Sequence, residues 1–366
     1  MKVAIRADAS TLLGSGHIMR CLTLAKMLSQ SGAEVSFVCL ELPGSMLKYI
    51  QAEGFDVYKI EPKPEMNVST QVELLEVLRA NEAYDLSHTL RVLNGRCKWN
   101  WVIVDHYALG EHWEQGIREA VSNIFVIDDL ADRRHECDIL LDQNFHYDMA
   151  TRYIGLVPSG CRLLLGPEWL LLREEFHQVV PNLERREGRL SRLLLFFGGS
   201  DSTNETRKAL HAIRKLAHEG LHTDVVVGGS NPHKEEIRAL CHATIGAVFH
   251  CQIDYMAKLM NEADLAIGAG GSTTWERCYL GLPALIVVLA ENQRAAIEEL
   301  EPAGAYVNLG DYQAVDETMI HTWLERLLNE PEHLRNMSRN ASELVPSVKV
   351  EKADAWLKLL REEKSE

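Results

Sequence analysis

Residues 12–21, LLGSGHIMRC, set a histidine directly after a Gly-Ser-Gly turn, where an apolar run ends and a helical pattern begins. The positive end of a helix dipole repels an imidazolium, and a neutral imidazole can accept a proton from water. His17 is therefore a candidate general base, although from spacing alone a solvated histidine at a helix start reads equally well. A second chemistry-bearing pattern lies in the other half of the chain. FGGSD (197–201), VGGSN (227–231) and AGGST (269–273) each follow an apolar run. Paired glycines let backbone approach a ligand closely, and serine after them exposes N–H groups at a helix start, the arrangement that holds a diphosphate. Gly198, Gly199, Ser200, Gly270, Gly271, Ser272 and Thr273 are accordingly candidate anion-binding residues. Neither G-x-G-x-x-G after the first run nor G-x-x-x-x-G-K-[ST] occurs, which withdraws support from nicotinamide dinucleotides and ATP hydrolysis.

Other candidates surround these. Glu276, about one helical turn beyond Gly271, suits ribose hydroxyls. Asn292 and Gln293 in LAENQ offer uncharged donors and acceptors for a sugar. Arg6 and Asp8 end the first run, and Asp105, His106 and Tyr107 end another. The acidic stretch DDLADRRHECDILLD (128–142) matches no metal-ligand spacing and contains Arg133 and Arg134, so capping and ion pairing explain it better than a metal.

The elements needed to position these residues alternate. KVAIRA (2–7) precedes a helix over 17–31, and VSFVCL (35–40), WVIVD (101–105), IFVID (124–128), DILLD (138–142) and RLLLG (162–166) are short apolar runs. After a polar stretch, a second series follows: LLLFF (193–197), DVVV (224–227), AVFHC (247–251), DLAIG (264–268) and ALIVVL (284–289). Such strands separated by helices predict an α/β fold of parallel sheets covered on both faces. The expectation is two Rossmann-like domains facing across a cleft. The first spans 1–176 and a linker 177–192; the second spans 193–340, and a C-terminal helical segment, 341–366, packs back on the first.

The length of 366 residues fits two domains. A formal net charge of −15 argues against nucleic acid and anionic membrane surfaces as partners. No apolar h-region follows the first residues and no run reaches about 18 apolar residues, so neither a signal peptide nor a membrane span is expected. The eight cysteines carry no C-x-x-C and suit a reducing compartment, with the cytoplasm the expected location.

The blocks RADAS…GSGHIMRCLTLA, WVIVDHYALGEHWE, VIDDLADRRHECDILLDQN, LLREEF, FGGSD and EADLAIGAGGSTTWERCYLGLPALIVVLAENQ resemble the UDP-2,4-diacetamido-2,4,6-trideoxy-β-L-altropyranose hydrolases of pseudaminic acid biosynthesis. The resemblance runs through both halves. It implies a glycosyltransferase-B-like (GT-B-like) fold and water-driven release of UDP from a UDP-linked diacetamido trideoxy sugar, with no cofactor and no metal. It implies His17 as the base, with Tyr107 and Asn292 holding the sugar and supporting the reaction. Gly270, Gly271, Ser272, Thr273 and Glu276 would bind diphosphate and ribose, and the chain near Ile253 would meet uracil. Arg6, Asp8, Gly16, Arg20, Gly198, Gly199, Ser200 and Gln293 complete the expected substrate-binding set. Residues 342–356 lack a glycine-bearing DGxG stretch that this family often carries. The residues leave open a transferase using the same UDP-sugar site, a hydrolase for an isomeric sugar, and a non-catalytic UDP-sugar sensor.

Overall fold

In a computed structural model the described residues are 1–94, 98–179, 181, 188–216, 218–345 and 353–361. They form two compact units, residues 1–171 with the C-terminal segment from 349, and residues 172–348.

Unit 1 runs β1 (Lys2–Ala7), α1 (Gly16–Gln30), β2 (Glu34–Leu40), α2 (Leu47–Ala52), β3 (Asp56–Ile60), α3 (Gln71–Ala80), α4 (Glu82–Leu93), β4 (Trp99–Asp105), α5 (Glu111–Ile117), β5 (Val121–Ile127), β6 (Ile139–Asp142) and β7 (Arg162–Leu165). Its seven strands pair in parallel in the order β3-β2-β1-β4-β5-β6-β7. The near-continuous burial of β1, β2 and β4 reflects helices on both faces of the sheet. From β1 the chain winds outward to β3, then returns to β4 on the other side of β1. The β1/β4 boundary is thus a topological switch point, where the carboxyl ends of adjacent strands open a crevice for ligands.

Unit 2 runs α6 (Glu174–His177), β8 (Arg192–Phe196), α7 (Glu205–Leu216), β9 (His222–Val227), α8 (Lys234–His242), β10 (Ala247–Cys251), α9 (Met256–Glu262), β11 (Leu265–Ala269), α10 (Ser272–Tyr279), β12 (Ala284–Val288), α11 (Glu291–Leu300), β13 (Tyr306–Asp311), α12 (Glu317–Asn329) and α13 (Pro331–Leu344). The six-stranded parallel sheet has the order β10-β9-β8-β11-β12-β13, with its own switch point between β8 and β11. β9, β8 and β11 are adjacent, so the three Gly-Gly-Ser loops leave the same sheet edge side by side.

The last helix, α14 (Ala353–Arg361), belongs to unit 1. Trp356 stacks on Phe125 with ring centroids 6.1 Å apart, and Trp101 Nε1 donates to the Leu360 carbonyl oxygen at 3.0 Å. The first division of the chain falls at Leu171/Leu172, ahead of the polar stretch proposed as linker, because Arg173 and Glu175 already bind unit 2 through Glu276 and the Ala257 amide. Val180 and residues 182–187 of that stretch lie outside the described residues, as do 346–352 and 362–366. The expected C-terminal segment also begins later than 341, since α13 continues to Leu344 within unit 2. Among the described residues no helix is long and apolar enough to cross a membrane.

The loops after β8 and β9 touch. A Cβ added to Gly228 would lie 2.2 Å from the Gly199 carbonyl oxygen, a backbone atom with little freedom to withdraw. Gly228→Ala is expected to lower the unfolding free energy by about 1–3 kcal/mol, the cost of overpacking, in urea denaturation.

Candidate functional site

At the switch point of unit 1, His17 stands in the first turn of α1, 7% exposed, and Asp105 ends β4, fully buried. His17 Nδ1 lies 2.5 Å from Asp105 Oδ1. Arg20, one turn further along α1, donates from Nε to Asp105 Oδ2 at 2.5 Å and from Nη2 to Oδ1 at 2.6 Å. Burial alone would raise the Asp105 carboxyl, but the Arg20 guanidinium and His17 outweigh it and hold the group well below the usual carboxylate range. An ionised carboxylate only accepts, so Nδ1 of His17 carries the ring proton and donates. This leaves Nε2 as the ring's acceptor. Arg20 Nη2, also 3.3 Å from Nδ1, serves the carboxylate.

A second His–Asp pair borders the first. His106 Nδ1 accepts from the Ala108 amide at 3.0 Å, so Nε2 is the donor to Asp8 Oδ2, 3.0 Å away. Asp8, His17, Asp105, His106 and Tyr107, with Leu13 and Leu75, line a small cavity. The Tyr107 ring meets His17 edge-on, centroids 4.4 Å apart. Asp8 is held below the usual range: burial raises it, but Arg6 and His106 lower it further.

Two of the expected substrate contacts in this unit are structural. Arg6 is fully buried, donating to Asp8 at 2.5 and 2.8 Å and to Asp85 at 2.5 Å, so it positions Asp8 and has no surface for a ligand. Arg20 is likewise engaged behind His17, with Nη1 on Asp129 at 2.9 Å. Gly16 is exposed at the start of α1 beside His17.

The acidic stretch is an ion-pair and hydrogen-bond network. Asp128 pairs with Arg133 at 2.9 Å, Asp138 with Arg118 at 2.5 Å and Asp142 with Arg152 at 3.3 Å. The Tyr153 hydroxyl donates to Asp142 at 3.0 Å. Burial, and then the nearby Asp129 charge, push the Asp142 carboxyl up to about 7 despite Asn144, Tyr153 and Arg152. Between the ordinary aspartate value and about 7, the folded chain holds a proton here that the unfolded chain has lost, so stability falls as pH rises through that interval. Asp8 and Asp105 act in the opposite sense: their stabilisation is present above the ordinary aspartate value and is lost as pH falls through their lowered values. Urea denaturation of Asp142→Asn is expected to have a flatter pH slope than wild type between about pH 4 and 7.

In unit 2, Gly198, Gly199 and Ser200 follow β8, and Gly270 and Gly271 follow β11. Only the third loop runs straight into a helix. Ser272 opens α10, with Gly271 at φ +103° as its N-cap, a conformation that favours glycine. The first and second loops turn for several residues before α7 and α8 begin, with Asp201 and Asn204 at positive φ in the first. The expectation that all three loops open helices directly is thus corrected to one. Gly270 is enclosed: a Cβ there would lie 2.2 Å from Ile297 Cδ1. Ser272 is exposed and Thr273 half-buried.

Glu276, on α10, is gripped by Arg173, whose Nε and Nη2 donate to its two oxygens at 3.0 and 3.2 Å. Arg173 also pairs with Glu175 at 2.6 Å, and Glu175 accepts from the Ala257 amide at the start of α9. Gln293 turns its Oε1 to the Leu289 amide at 3.2 Å. Ile253 lies half-buried in the loop before α9, after Gln252 at positive φ. Asn292 is in the first turn of α11, and its side chain lies outside the described residues. Arg173 is the site residue that the sequence reading did not single out, whereas Asp105 was a candidate by its place at a strand exit and its pairing with His17 was not foreseen. Nothing but its place in LLREEF marked Arg173.

Two parallel-sheet α/β units, each with its glycine turns and polar side chains at a switch point, give the chain a glycosyltransferase-B-like fold. Residues 193–353 match the glycosyltransferase family 28 C-terminal domain. The chain is 29% identical over 305 residues to the UDP-2,4-diacetamido-2,4,6-trideoxy-beta-L-altropyranose hydrolase of Campylobacter jejuni, a match covering 83% of this chain and 97% of that protein. In fold it resembles MurG of Acinetobacter baumannii, with a TM-score of 0.64 and 16% identity over 98% of this chain and 99% of that one. It also resembles the spinosyn rhamnosyltransferase SpnG complexed with thymidine diphosphate, with a TM-score of 0.63 and 19% identity over 99% of this chain and all (100%) of that one.

Proposed function

We propose that this chain is a hydrolase releasing UDP from UDP-2,4-diacetamido-2,4,6-trideoxy-β-L-altrose, giving the free sugar for pseudaminic acid synthesis. The observation that carries the chemistry is the His17–Asp105 pair, in which a proton-bearing Nδ1 leaves Nε2 of a fixed ring to accept a proton. The likeness to the Campylobacter jejuni hydrolase, over nearly all of that protein, supports the substrate class.

In this reading a water molecule attacks the anomeric carbon while its proton passes to His17 Nε2. The bond from that carbon to the diphosphate oxygen breaks, and UDP leaves with the electron pair. Attack from the face opposite the leaving group inverts the anomeric centre. Asp105 stabilises the imidazolium as it forms, and Arg20 keeps Asp105 ionised. The amides of the Gly270–Ser272 turn take up the charge growing on the diphosphate, so no metal is called for. Glu276 accepts from the ribose hydroxyls while Arg173 holds it, Ile253 lies by the uracil, and Tyr107 and Asn292 hold the sugar.

The family 28 match of the second half favours a second reading, transfer of the sugar to an acceptor. The discriminating experiment measures UDP release in EDTA without acceptor from the altro sugar nucleotide, its gluco isomer and UDP-GlcNAc. Release from the altro compound alone is expected. Release only from an isomer moves the substrate, release lost in EDTA removes the metal-free mechanism, and no release from any favours transfer or simple binding.

A further inference from the structure

Arg277 lies on the inner side of α10, 2% exposed, with its guanidinium against the end of β11. Its Nη2 donates to the Ala269 carbonyl oxygen and to Thr274 Oγ1, both at 3.0 Å. Among the described residues it has no ion-pair partner, because the neighbouring carboxylate, Glu276, is turned to Arg173. Burial pushes the guanidinium down to about 10, which leaves it charged at neutral pH. A buried cation without an anion is costly, and a compensating charge is expected nearby.

The place for that charge is one residue away. Ala269, whose carbonyl Arg277 holds, leads directly into Gly270, Gly271 and the amide end of α10. The backbone amides and the buried cation lie on the same stretch of chain, and both favour an anion there.

We infer that Arg277 is a positioning residue whose fixed charge, acting through the Ala269–Ser272 turn without touching the ligand, draws a nucleoside diphosphate onto that turn. The inference rests on the reading of this turn as the diphosphate site. A cation fixed in a low-dielectric surround interacts more strongly with each phosphate charge than a solvated one does. Its effect must therefore scale with the ligand's charge, whereas a packing role would not.

The test is calorimetric titration of wild type, Arg277→Gln and Arg277→Lys with UDP, UMP and uridine, alongside urea denaturation without nucleotide. Arg277→Gln is expected to weaken UDP by roughly tenfold or more, UMP by less and uridine not at all, while Arg277→Lys keeps most of the UDP affinity. Without nucleotide, Arg277→Gln should be at least as stable as wild type, since it removes an uncompensated charge. Equal weakening of all three ligands, no weakening of UDP, or a marked loss of stability in the nucleotide-free Gln variant would each overturn the inference. Wild type that binds uridine and UDP equally well would remove the diphosphate reading itself, an outcome visible before any variant is made.

Discussion

His17→Ala is expected to lower kcat for UDP release by roughly 10²–10⁴-fold, the usual contribution of a positioned general base, with the dissociation constant for UDP nearly unchanged. The split follows from the division of labour between the units. The proposed UDP contacts, Gly270 to Glu276, belong to the second unit, and His17 belongs to the first. His17 is also packed against Tyr107, so His17→Gln, closer in volume, should be assayed beside it. A coupled assay for released UDP gives kcat, and calorimetry gives UDP affinity. A variant turning over within a few-fold of wild type would place the base elsewhere.

Asp105→Asn should be nearly as damaging to turnover, by a different route. The carboxamide can turn its N–H₂ toward Nδ1, which then must accept, and the ring proton moves to Nε2, where it blocks proton uptake from water. Loss of a carboxylate that sets a catalytic histidine's tautomer costs up to about 10⁴-fold in kcat. The same change takes from buried Arg20 the carboxylate to which it makes two charged hydrogen bonds, leaving it, among the described residues, only its pairing with Asp129. Removing one partner of a buried ion pair costs about 3–5 kcal/mol, so the variant should also unfold at lower urea concentration. Rate and stability are separable here: kinetics measured well below the unfolding midpoint report the tautomer, and the midpoint reports Arg20. Wild-type kcat in a folded Asp105→Asn protein would mean that Nδ1 need not be the donor.

The interior strands were legible in the sequence because each is buried on both faces and reads as an unbroken apolar run. β3 and β13 were not. β3, DVYKI, is half-exposed at one sheet edge, and β13, YVNLGD, lies at the edge of the other and pairs with β12 across a register shift. Edge position alone is not the reason, since β7 and β10 at the opposite edges were legible as RLLLG and AVFHC. The mixed polar composition of DVYKI and YVNLGD is what departs from the apolar pattern.

The site was readable wherever chemistry and local backbone coincide, as at His17 in its glycine turn and at Gly271 before α10. It was unreadable where function depends on partners distant in sequence. Arg6, at a strand end, looked like a ligand contact, but its partner Asp85 comes from α4, 79 residues away. Asp105 meets His17 across 88 residues, and Arg173 meets Glu276 across 103. Nothing in the local spacing of WERCYL distinguishes the exposed face of α10 from the face on which Arg277 is buried.

The most direct measurement is hydrolysis of the altro sugar nucleotide in ¹⁸O-labelled water, with the products resolved by mass spectrometry. Attack of a His17-activated water on the anomeric carbon predicts one ¹⁸O atom in the released sugar and none in UDP. Label in the UDP, or no hydrolysis at all, would contradict it.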